Sequence, residues 1–110
     1  MNEKLIEDYK KFLDNGKTER ECVQQIITLA KATGYKDISE FDSLKKGDKV
    51  YITKMNKAVA LFEIGSGSIE KGMNILGAHI DSPRLDAKQN PLYEKDNITY
   101  LNTHYYGGIK

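Results

Sequence analysis

The chain has 110 residues, 17 basic and 16 acidic, with a net charge of +1 and 30% charged residues. That length suits a single domain burying roughly 65% of its unfolded-chain surface. Basic and acidic residues are interspersed, so there is no stripe for nucleic acid or anionic lipid. No apolar run approaches the roughly 20 residues that cross a bilayer, so no membrane partner is expected. The opening MNEKLIEDYKK carries acidic side chains and lacks a long apolar core, unlike a signal peptide. Cys22 is the only cysteine, which forbids an intrachain disulfide and points to a reducing compartment, by default the cytoplasm.

In chain order, Glu3 to Asp14 reads as an amphipathic helix whose stripe is Leu5, Ile6, Tyr9, Phe12 and Leu13. Asn15-Gly16 supplies its stop. Thr18 and Glu21 form a capping box for a second helix, Glu19 to about Thr33, whose inward stripe is Cys22, Val23, Ile26, Ile27 and Ala30. On that stripe Cys22 reads as a buried structural thiol, not a nucleophile. Gly34 ends the helix, and Ser39 is expected to cap a short turn.

From Lys45 the period becomes strand-like. Lys45-Lys46-Gly47-Asp48 reads as a turn, Lys49 to Lys54 as a strand, and Met55-Asn56-Lys57 as a connection with Asn56 left-handed. Ala58 to Ile64 is apolar except for Glu63, the pattern of a strand covered on both faces, and it pairs naturally with Lys49 to Lys54. The Gly/Ser segment from Gly65 to Gly72 lacks the spacing and lysine of a phosphate-binding loop.

Met73 to Asp86, MNILGAHIDSPRLD, is the chemical centre of the sequence. The apolar run Met73 to Ala78 is expected to form a buried strand that delivers His79 and Asp81 and stops at Ser82-Pro83. In an extended segment Gly77, His79 and Asp81 share one face. His79 would be a neutral imidazole ligand or a base, and Asp81 would fix its tautomer by accepting the other ring N–H. Taken alone, H-x-D also describes a surface histidine beside a turn-forming aspartate.

After Pro83, Leu85 and Ala87 alternate with Arg84, Asp86 and Lys88 as in a half-exposed strand, and Asn90-Pro91 is expected to turn the chain. Ile98 to Tyr106 alternates again, with Tyr100, Asn102, His104 and Tyr106 on one side, and Gly107-Gly108 breaks it. His104 reads as a hydrogen-bonded side chain on a sheet face and receives no role.

The strings GAHIDSPRLDAKQNPLYE and THYYGGIK, behind the K-x-G-D-K-x-Y segment and two helices, resemble the M18 metalloaminopeptidases, the aspartyl-aminopeptidase group. The resemblance covers nearly the whole chain. It implies an α/β fold: two N-terminal helices, then strands of a helix-covered zinc-peptidase sheet, with the start of an inserted β-rich oligomerisation domain. Residues 1–82 would open the proteolytic domain, and residues 83–110 would lead into the inserted one.

The implied activity is removal of single N-terminal residues from peptide substrates by two zinc ions per full-length subunit, with cobalt or manganese as substitutes. The ions share a bridging carboxylate and water. By position His79 matches a metal ligand and Asp81 the catalytic carboxylate that orients it. The bridging Asp, the paired Glu and the remaining ligands lie downstream in the family. The resemblance also implies a large homo-oligomer, a dodecamer. The chain ends within a family motif, so it reads as the N-terminal part of a larger enzyme, inactive alone. Two other readings stay open: a non-catalytic assembly module of the same fold, and a related zinc amidohydrolase with a non-peptide substrate. The S-P-R-L and N-P-L-Y-E continuations are unlike the latter.

Overall fold

Helix α1 spans Glu3–Asn15 and helix α2 spans Glu19–Ala32 in the computed structural model, which describes residues 2–108. Met1 and the last two residues of the THYYGGIK stretch lie outside the described residues. The predicted capping box is present: the Thr18 hydroxyl accepts from the Glu21 N–H at 3.3 Å, and the Thr18 N–H donates to Glu21 Oε2 at 2.8 Å. Two of the helix's orphan donors are thereby satisfied. Cys22, Val23 and Ala30 are buried.

Cys22 is the structural thiol expected of it. It donates to the Gly16 carbonyl at 3.3 Å, and burial, followed by Glu21 and Glu19, pushes its pKa up. Gly16 is required for space, not for a left-handed φ: its φ is −111°, and a Cβ there would lie 2.8 Å from Cys22 Sγ. The α1 stripe differs from expectation. No residue of α1 is fully buried, and Leu5 and Tyr9 are 67% and 60% exposed. A stripe is buried only where another layer lies against it.

After Gly34, whose φ is +91°, Lys36–Asp37 forms strand β1. The following turn, Ile38–Glu40, is capped by Asp37 and not by Ser39, which acts as donor. Ser39 gives both its N–H, at 2.9 Å, and its hydroxyl, at 2.7 Å, to Asp37 Oδ1, and these bonds, the hydroxyl's first, lower the Asp37 pKa.

Strands β2 (Lys49–Lys54) and β3 (Ala58–Glu63) form the predicted antiparallel hairpin, with Tyr51 opposite Leu61. Asn56 is left-handed as expected, and so is Met55, at φ 54° and 52°. Two successive left-handed residues match the strand twist across a tight loop. β1 pairs parallel to β2, giving the order β1-β2-β3. α2 packs on β2 and β3, and Val50 and Tyr51 are buried with the α2 stripe. β3 is not covered on both faces: Leu61 and Phe62 remain 44% and 43% exposed, and β3 is the sheet's outer strand among the described residues.

The expected strand Met73 to Ala78 is absent. Residues 72–83 carry no regular secondary structure, Ile75 is 79% exposed, and Leu76 is fully exposed. A strand exists only with a neighbour to take its N–H and C=O groups, and no described strand pairs with this run.

The contacts divide the chain into two compact units, with the boundary between Ile80 and Asp81. The second unit is a hairpin of β4 (Arg84–Lys95) and β5 (Ile98–Tyr106). Asn90-Pro91 does not turn the chain. β4 continues through it, with a register irregularity between Ala87 and Leu92. Proline has no N–H for the ladder and is tolerated where pairing is interrupted. The turn falls instead at Asp96-Asn97, both left-handed at φ 54° and 60°.

Candidate functional site

His79 lies on the irregular segment that ends the first unit, and its side chain is exposed. Asp81 opens the second unit and is half-buried. Gly77, His79 and Asp81 would share one face only in a strand, which this segment does not form.

Asp81 is held by the far end of the hairpin. Tyr106, the last residue of β5, donates its hydroxyl to Asp81 Oδ2 at 2.8 Å. Arg84 sits directly opposite Tyr106 in the ladder, and its guanidinium carbon lies 4.4 Å from the centre of the Tyr106 ring. That is cation–π distance. Arg84 is fixed in turn by Asp86, two residues along the same face of β4, with Nε at 3.0 and 3.2 Å from the two carboxylate oxygens. Gly107 follows at φ +78°, and a Cβ there would meet Pro83 at 3.2 Å. The end of β5 can therefore approach the S-P turn closely only because residue 107 is glycine.

His104 lies opposite Asp86, with its ring 5.9 Å from that of Tyr105. It sits on a sheet face, as expected. The Tyr106–Asp81 bond spans 25 residues, and sequence reasoning missed it. Its sequence signals are the strand alternation that puts Tyr106 on the His104 face and the Gly107-Gly108 break just after it.

Among the described residues, no group of three or more His, Cys, Asp and Glu side chains is placed to hold a metal ion. Zinc sites use three or four protein ligands. His79 suits zinc as a single nitrogen donor, but the described residues do not amount to a complete site.

Residues 12–110 match the family model for aminopeptidase I zinc metalloproteases, M18. The chain belongs to the M18 family. It is 52% identical over 110 residues to the Clostridium acetobutylicum protein named "Probable M18 family aminopeptidase 1", an alignment covering 96% of this chain and 24% of the relative. In structure it is similar to aminopeptidase I from Borrelia burgdorferi B31, with a TM-score of 0.80 and 46% identity over 94% of this chain and 26% of that one. It also resembles the M18 aminopeptidase from Thermotoga maritima, with a TM-score of 0.78 and 38% identity over 97% of this chain and 24% of that one. The M18 fold class, two helices followed by strands in a mixed α/β arrangement, is the one expected from the sequence. The chain spans about a quarter of the length of these relatives.

Proposed function

We propose that this chain is the N-terminal part of a metal-dependent aminopeptidase that removes single N-terminal residues from peptides, with two zinc ions per full-length subunit. The observation that carries the reading is the M18 match over residues 12–110, which includes the HIDSPRLD string. Residues up to Ser82 would open the proteolytic domain, and those from Pro83 the inserted oligomerisation domain of a cytoplasmic dodecamer. The contact boundary after Ile80 supports a division at about this point.

When bound, zinc supplies Lewis-acid activation of water and of the scissile carbonyl. Within this chain, His79 would offer an imidazole nitrogen as one ligand. Asp81 would be the carboxylate that orients this ligand, the role the family resemblance implies for it. The remaining ligands and the general base are supplied by sequence beyond this chain. Alone, the chain is inactive.

In the full-length protein, peptides with a free α-amine are expected to be cleaved and their N-acetylated forms spared. Chelation should abolish turnover, and zinc, cobalt or manganese should restore it. Full activity in protein shown to be metal-free would contradict the reading. Asp81→Asn is expected to keep its metal while kcat falls about 10–100-fold, the usual cost of a lost outer-shell partner. An amide cannot support imidazole basicity as a carboxylate does. Wild-type turnover and metal affinity in this variant would remove the role assigned to Asp81.

A further inference from the structure

We infer that Tyr106 is a positioning residue for Asp81: its hydroxyl sets the orientation of that carboxylate, and through it the efficiency of the peptidase centre. This rests on the reading of Asp81 as the carboxylate that orients His79. The observation is the 2.8 Å bond from Tyr106 Oη to Asp81 Oδ2. Asp81 lies outside the β4–β5 ladder, so the orientation of its carboxylate is set by side-chain contacts such as this one. A carboxylate has two oxygens with several acceptor directions. A donor fixed on Oδ2 chooses the plane of the group and thereby the direction in which Oδ1 faces. A charge-assisted O–H···O⁻ bond is among the stronger ways to do this.

A phenol is useful here only if the ring itself is held, and three features hold it. Tyr106 ends a strand paired residue for residue with the start of β4, and Arg84 is its direct partner. The Arg84 guanidinium covers the ring at 4.4 Å and is itself anchored on Asp86. Gly107 permits backbone contact with Pro83, so the strand end stays against the segment that carries Asp81. An orienting group needs rigid support of this kind, because small losses of geometry cost rate.

The test is Tyr106→Phe in the full-length, metal-loaded protein, with Asp81→Asn and the double variant alongside. The Phe ring retains the Arg84 contact and removes only the hydroxyl. We expect kcat to fall about tenfold, the lower end of the range for a lost outer-shell partner, with KM unchanged. Zinc should pass to a competing chelator faster than from wild type. Added to Asp81→Asn, Tyr106→Phe should have little further effect, because it acts through Asp81.

A Phe variant with wild-type kcat and zinc release, beside an impaired Asp81→Asn, would overturn the inference and leave the role of Asp81 standing. If the two losses multiply in the double variant, Tyr106 acts elsewhere and the inference also fails. If Asp81→Asn is itself silent, the underlying reading falls and takes the inference with it. Ring-fluorinated tyrosines at 106 change the acidity of the phenol with little change in shape, so they test the point even if the Phe variant folds poorly. A kcat indifferent to that series would overturn the proposal.

Discussion

If the full-length protein is the two-zinc aminopeptidase proposed above, His79→Ala is expected to reduce the metal content from two ions per subunit to one and to bring peptidase turnover down to background. On the proposed reading alanine removes a coordinating nitrogen, and among the described residues no group of three or more His, Cys, Asp and Glu side chains is placed to hold a metal ion. A zinc ion left short of its three or four ligands binds weakly. The loss should therefore well exceed the roughly 10–100-fold cost expected for Asp81→Asn if Asp81 has the orienting role proposed for it. Elemental analysis of dialysed protein, read beside kcat, separates the two variants. His79→Ala protein that kept two ions and wild-type turnover would show that His79 is not a ligand.

The isolated 110-residue chain is expected to show no peptidase activity, to bind zinc only weakly, and to be partly molten or self-associating. Large apolar side chains of the kind a finished core would cover stand exposed, among them Leu5, Tyr9, Leu61, Phe62, Ile75 and Leu76. The buried apolar core among the described residues is Cys22, Val23, Ala30, Val50 and Tyr51. That core is small for a chain of 110 residues, in which folding must offset the conformational entropy of every ordered residue. The outer edge of β3 adds unpaired N–H and C=O groups beside exposed apolar side chains, an arrangement that recruits other strands. Calorimetry and sedimentation test this directly. A single cooperative transition from a monodisperse monomer would show that the segment is a self-sufficient domain.

Local features of the chain are legible in its sequence. The Thr18–Glu21 box, the thiol of Cys22 on the α2 stripe and the hairpin from Lys49 to Glu63 are set by groups close together along the chain. Their geometry follows from backbone donors, helical period and loop conformation alone. The HIDSPRLD and THYYGGIK strings carry the family for the same reason: they are contiguous and need no fold to be recognised. Three other features are decided only by the tertiary structure. Asn90-Pro91 has turn chemistry, yet the chain turns at Asp96-Asn97, because pairing of β4 with β5 carries the strand past the proline. Met73 to Ala78 has strand chemistry, yet no described strand accepts its backbone groups, and so it stays irregular. The bond from Tyr106 to Asp81 joins residues 25 apart that nothing in either local sequence connects. Short-range patterns specify what a segment is able to form, whereas a strand, a buried face or an oriented carboxylate needs a second segment to supply its partner groups.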